Sequence, residues 1–410
     1  MTLFSDCCCL VEFSREKGSY LKRMIPETFD FYGEINFFTV CSFPEKITAS
    51  SIHSFSLSRH ICYSWCFQYQ NGIFSIVILS HHCFAQIFLE FLGSIRDLHA
   101  GDDPEDCLNA VNGYLAKWKI ENNGEVHLVY PDRDFRTNMD STYSYYLNFD
   151  PSSLIGRNVE YDSLWKALLT NKGVLIYGED AEKVSNAVFS VISMVAPLKY
   201  CEPLLVFTRL GDERFADVIQ GSIKWKIVGT TNLLAYDRCT QFKVVIKLPP
   251  KPSIPFDIRT SLQKRTTKIL KRFELFFNKY LEKDPYSELL DCQLTPQQLA
   301  DFTPKKDQAS TKRLTIAELQ IFQRTNTFTE WRKFNMTRRQ FRESFLSFTP
   351  EDIIQSKSMD QLSQIEKGLV PMSEKFSHDL HMSAVINKHI SIIRKKRVSS
   401  QSYSDLPDSH

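Results

Sequence analysis

Three observations predict a mixed α/β chain that ends in an all-helical part. Short apolar runs alternate with amphipathic stretches up to about residue 250, Pro249, Pro250, Pro252 and Pro255 then crowd into seven residues, and the segments after them read as helices. At 410 residues the chain exceeds what one core usually organises, so several packed units are expected. The divisions fall at 1–131, a connector 132–158, a second α/β unit 159–250, a helical unit 251–398 and a serine-rich, disordered tail 399–410.

The first unit reads as a sheet closed by helices. Strands are predicted near Cys7–Phe13, Ile35–Phe43, Ile61–Tyr69 and Ile73–Ser80. No charged residue lies between Arg59 and Glu90, but Gln68, Gln70, Asn71, Gly72, His81 and His82 break the run. A membrane span is apolar almost throughout, so two strands joined at Asn71-Gly72, a dipeptide that supplies positive φ, explain it better. Asp6, Glu12 and Glu16 likewise break any signal-peptide core. Helices follow at Cys83–Ile95 and after Asp103-Pro104, a cap followed by a proline suited to the first helical position, with Leu108, Val111, Leu115 and Trp118 on one face. The connector is polar and aromatic without a period.

In the second unit, a helix after Asp162 carries Leu164, Trp165, Leu168 and Leu169, and Gly173–Tyr177 is a short buried strand. Val184, Ala187, Val188, Val191, Ile192 and Val195 repeat at three and four residues until Pro197 stops the helix. Strands at Leu204–Phe207, Trp225–Val228 and Phe242–Ile246 alternate with a helix at Asp212–Ile219, which argues an α/β layer. Beyond the prolines, helices are predicted at Arg259–Glu282, Thr315–Gln323, Thr329–Ser347 and Met372–Lys396.

The balance of 50 basic and 48 acidic residues creates no long-range field favouring nucleic acid or an acidic substrate. The 11 cysteines contain no CxxC pair and sit mostly in apolar runs, so they read as reduced thiols of a cytoplasmic chain. Cys7-Cys8-Cys9 has two readings, small hydrophobes on a first strand or palmitate acceptors. Gly178-Glu179-Asp180 occupies the strand-to-helix turn where a phosphate loop would stand, but its carboxylates repel phosphate, and neither GxGxxG nor GxxxxGK(S/T) occurs. No GxSxG elbow is present. His378 and His381, near Glu374 and Asp379, are a weak metal motif more simply placed on a helix flank. No catalytic group, cofactor, metal, nucleic acid or small-molecule substrate is therefore expected. Two basic stretches, Arg259–Arg272 and Arg394-Lys-Lys-Arg397, read as solvated helix faces or as contacts to an anionic membrane.

Several segments carry a family likeness. Leu164-Trp165 with its aliphatic strand, Ser193-Met-Val-Ala-Pro197, Leu198-Lys199-Tyr200-Cys201, Pro203-Leu-Leu-Val-Phe207 and Val228-Gly-Thr-Thr-Asn232 resemble the central module of DENN proteins, most closely the sixth DENN subfamily. Ile269-Leu-Lys-Arg-Phe-Glu-Leu-Phe276 with Tyr280, Asn326, Phe328 and Trp331 is similar to that subfamily's helical tail. The amino-terminal unit matches the family's longin module in pattern alone. The resemblance implies a longin-like domain, a central DENN domain and a downstream helical domain.

It further implies guanine-nucleotide exchange on a Rab-family GTPase at endosomal or other trafficking membranes, with the partner gripped between the two α/β layers. Such exchange works by binding the emptied GTPase more tightly than the loaded one. Lys199, Tyr200, Arg209, Asp212, Arg214, Thr230 and Asn232 lie on connections where binding residues concentrate and are the expected GTPase contacts. Two alternatives stand beside exchange: a GTPase-activating role with Arg96 presented to the phosphates, and a non-catalytic Rab-binding adaptor at a membrane.

Overall fold

The apolar run Cys7–Val11 is wholly buried in β1 (Cys7–Ser14), which pairs with β2 (Gly18–Ile25). β3 (Ser50–Ser56), β4 (Ile61–Tyr69) and β5 (Gly72–Ser80) complete a five-stranded antiparallel sheet in the order β2-β1-β5-β4-β3. The predicted hairpin is β4–β5, paired from Ile61 opposite Ser80 to Tyr69 opposite Gly72. Its positive φ of 52° falls on Gln70, while Gly72 already belongs to the strand. This computed structural model describes residues 4–46, 50–120, 125–138, 149–222, 224–251, 253–281, 286, 293–302, 313–336, 345–377 and 379–404.

Residues 35–43 form no strand. Ile35–Cys41 is helix α1, although its aromatic and β-branched residues favour extended structure. Phe38 and Cys41, three apart, are fully buried on one side, and the Phe38 ring stands 6.0 Å from Phe55 of β3. Packing has overridden propensity. α2 (Ala85–His99) and α3 (Pro104–Leu115) close the layer as expected, with Asp103 accepting from the Glu105 amide. A small antiparallel sheet of β6 (Lys119–Ile120), β7 (Glu125–Val129) and β8 (Asp134–Asn138) follows, so the connector begins with paired structure. It also contains α4 (Pro151–Ile155), capped by Asp150, and residues 139–148 of it lie outside the described residues.

The second layer is a wholly parallel sheet. α5 (Tyr161–Leu169) leads to β9 (Val174–Tyr177), α6 (Ala181–Ser193), β10 (Leu204–Thr208), α7 (Glu213–Ile219), β11 (Ile227–Thr230), α8 (Leu233–Arg238) and β12 (Val244–Lys247). The strands lie in the order β10-β11-β9-β12. α6 covers one face at very close range: a Cβ on Gly229 would meet the Val206 carbonyl at 2.4 Å and Val184 and Val188 methyls at 2.8 and 2.9 Å. α7 and α8 cover the other through Phe215, Val218 and Ala235 against Leu175, Leu205 and Val228. Both layers belong to one compact unit, Met1–Thr266.

α9 (Ile258–Leu281) runs from that unit into a second, Thr267–His410. The second unit adds α10 (Pro296–Phe302), α11 (Ile316–Phe322), α12 (Asn326–Met336), α13 (Pro350–Ile354), α14 (Met359–Lys375) and α15 (Leu380–Ser404). Thr315 and Glu318 form a reciprocal capping box at the start of α11. The helix predicted over Met372–Lys396 is two helices, because Asp379 starts a new one by accepting from the Met382 amide. α15 continues through Ser399–Ser404, the first half of the expected tail, and 405–410 lie outside the described residues. No helix among the described residues is long and apolar enough to cross a membrane.

Candidate docking site

Border strands β3 and β10 face each other, and serine joins them where a ladder would. The Ser56 hydroxyl donates to the Leu204 carbonyl at 3.0 Å and accepts from the Val206 amide at 3.1 Å, while the Ser54 amide donates to Ser185 Oγ at 3.3 Å. Arg214 adds a charged tie. Its Nη1 donates to the Ser56 carbonyl at 2.7 Å, and Nη2 and Nε fork onto Asp212 at 2.7 and 2.9 Å. Asp212 also caps α7 and accepts from Thr208 Oγ1 at 2.9 Å and Cys41 Sγ at 3.6 Å. Burial alone would lower the Arg214 pKa, but the Asp212 hydrogen bonds and charge raise it. Burial, then the Asp212 charge, push the Cys41 thiol up. Arg209 Nη1 donates to the Phe43 carbonyl at 2.9 Å, a third tie between the layers.

This interlock frames a cleft. α6 leaves β9 toward one face and α8 leaves β11 toward the other, so the carboxyl ends of these adjacent strands form a topological switch point, where open α/β sheets place their ligands. A cavity of about 300 Å³ lies there, lined by Glu179, Asp180 and Glu182 of the β9–α6 turn, by Thr231, and by Glu45 and Lys46 of the first layer. Glu45 bridges the layers, accepting from the Leu210 amide at 3.1 Å and from Thr231 Oγ1 at 2.9 Å. Asp180 caps α6 through the Lys183 amide at 3.0 Å. Enclosure first, and then the neighbouring Asp180, hold the Glu182 carboxyl above its usual range.

His53 of β3 also lines the cavity and is fully buried. Its Nε2 donates to the Cys41 carbonyl at 2.9 Å, which leaves Nδ1 as a bare acceptor without a partner among the described residues. Burial drops its pKa to about 4, so the ring is neutral near pH 7. On the connections beside the cavity, Leu210, Leu233, Leu234 and Tyr236 are 63%, 49%, 45% and 38% exposed, large apolar side chains turned to solvent. The Tyr236 ring lies 5.5 Å from that of Tyr177, which lines the cavity.

The expected contact residues divide accordingly. Arg209, Asp212, Arg214, Thr230 and Asn232 converge at this edge, but Asp212 and Arg214 are buried in the interlock and Thr230 within the parallel sheet. Thr230 donates to the Thr208 carbonyl at 3.0 Å, and Asn232 caps α8. Lys199 and Tyr200 precede β10 at the opposite edge; Lys199 is exposed, and burial, then Glu202, push the half-buried Tyr200 phenol up. Arg96 donates to its neighbour Asp97 at 2.9 Å. Among the described residues no group of His, Cys, Asp and Glu converges as metal ligands, and His378 lies outside them. In the basic stretches, Arg265 pairs with Asp162, Arg394 and Arg397 with Glu366, and Lys396 Nζ donates to the Ile354 carbonyl. The ten described cysteines are free thiols, with Cys7, Cys8 and Cys9 buried in β1.

Glu45, His53, Leu210, Leu233, Leu234 and Tyr236 are among the site residues that sequence reading missed. His53 stands in a serine-rich run that reads as a loop, and Leu233-Leu234 lies in a helix too short to show a period. Neither a protein-family model nor a curated protein matches this chain.

Proposed function

We propose that this chain is a DENN-type exchange factor that docks a Rab-family GTPase where the longin-like layer meets the central parallel sheet. One observation carries the proposal: a cleft lined by both layers at the switch point of the sheet has large apolar side chains, exposed to solvent, on the two connections beside it. The resemblances in the second unit and in the helical tail favour the same partner. Exchange asks for a rigid surface whose fit improves as the GTPase opens, so that binding energy goes into the emptied state. The buried Asp212–Arg214 pair and the serine bridge supply that rigidity by fixing the two walls. With three residues of Arg394–Arg397 engaged inside their own unit, recruitment to trafficking membranes would come through the partner.

The test is release of labelled GDP from a panel of Rab GTPases with the purified chain. Faster release from one member, and tighter binding of its nucleotide-free form, is the expected result. Equal binding of loaded and empty forms would instead indicate an adaptor. Accelerated GTP hydrolysis lost on Arg96→Ala would indicate an activating protein.

A further inference from the structure

The cleft has a chemical signature that fits one kind of contact. Among the described residues, four carboxylates line it (Glu45, Glu179, Asp180 and Glu182) against one lining cation, Lys46, with Arg96 and Lys183 near Glu182. Glu45 has both oxygens engaged by Leu210 and Thr231. Asp180 uses one oxygen on the Lys183 amide, and Glu179 makes no hydrogen bond or ion pair among the described residues. His53 is an independent indication: a fully buried ring in the cavity wall, near Asp180 and Arg209, whose free Nδ1 accepts and does not donate. Such a lining calls for a donor that carries positive charge. Phosphate is excluded by its sign, and the carboxylates do not converge as metal ligands among the described residues. A volume of about 300 Å³ stands at the lower limit of small-molecule sites, roughly 300–1,000 Å³, and suits one long side chain.

We propose, on the docking reading above, that this cleft receives one basic side chain, an arginine or lysine, of the bound GTPase. Glu179 and Asp180 are its counter-charges, and Leu210, Leu233, Leu234 and Tyr236, on the connections beside the cleft, are the apolar flank that the partner covers. The arrangement is that of an interface centre: a charged anchor in a pocket, surrounded by contacts that dry it. Charge complementarity of this kind sets encounter rate and register.

Two measurements on the full chain separate this claim from the docking reading. In the first, N-acetyl-arginine amide is titrated against the chain while the His53 ring resonances are followed, with N-acetyl-citrulline amide as the uncharged control. A saturable shift with arginine, absent with citrulline and weakened about tenfold in the Glu179→Gln/Asp180→Asn variant, is expected. Asparagine still caps α6, so that variant keeps its fold. No shift, or equal shifts with both probes, overturns the basic-anchor claim whatever any GTPase does. In the second, the GTPase that responds in the release assay is bound to wild type and to the same variant at low and high salt. Affinity about tenfold lower, with a weaker salt dependence, supports the anchor; unchanged affinity removes it and leaves docking intact. If no GTPase responds, the docking reading fails while the arginine titration still decides the chemistry of the cleft.

Discussion

At the scale of single residues, the Asp212–Arg214 pair is a buried ion pair that ties the two layers of the first unit. Arg214→Ala would strand a buried carboxylate and is expected to cost about 3–5 kcal/mol in urea unfolding. The Asp212→Ala/Arg214→Ala double variant should lose less than the sum of the two single losses, because no unpaired charge remains. His53 makes stability depend on pH. Its folded pKa, about 4, lies below the ordinary 6.5, so the unfolded chain takes up the proton first. Stability is then complete above about pH 6.5 and is lost as pH falls toward 4, by up to about 1.4 kcal/mol per pH unit. Urea midpoints measured between pH 7 and 4.5 should show this slope, reduced in His53→Asn; buried His389, also lowered to about 4, adds in the same direction. The sequence placed Asp212 and Arg214 where a connection enters a helix. It could not show that both turn inward, because their partners, Cys41 and Ser56, lie more than 150 residues away.

At the scale of elements, α6 on β11 depends on the bare surface of Gly229. Gly229→Ala would force apart backbone and two valines, an expected loss of about 1–3 kcal/mol on thermal or urea unfolding. Leu233→Ser and Leu234→Ser in α8 should leave stability within about 0.5 kcal/mol, since both side chains already face water. If this apolar flank docks a GTPase, the same substitutions reduce the acceleration of GDP release. Elements with a strong period were legible: α2, α3, α5, α6 and the β4–β5 hairpin fall near their predicted places. Others were hidden, three of them in the first layer for distinct physical reasons. β2, Gly-Ser-Tyr-Leu-Lys-Arg-Met-Ile, is a border strand with two exposed cations and no clean alternation. β3 is built on serines, which resemble a loop until their hydroxyls are seen bridging the layers. α1 carries strand-forming residues that packing turns into a helix.

For the whole molecule, the unit Met1–Thr266 contains both layers and the first residues of α9, whose Thr266 accepts from Trp165 Nε1 at 3.0 Å. A chain of residues 1–281 is therefore expected to fold and unfold cooperatively on its own, which calorimetry would check. The class of the fold was readable because periodic segments change character at the prolines; the site was not, because it forms only when residues 45, 53, 180 and 231 are brought together by two sheets.

The serine bridge between β3 and β10 also bears on solubility. A border strand normally offers its unpaired amides and carbonyls to any extended chain that passes, which is how sheets recruit copies of themselves into aggregates. Turning two such borders toward each other hides both, and the other borders of these two sheets, β2 and β12, carry Lys22, Arg23 and Lys247, cations that discourage strand addition. The join that shapes the cleft thereby also takes β3 and β10 out of reach of a passing strand.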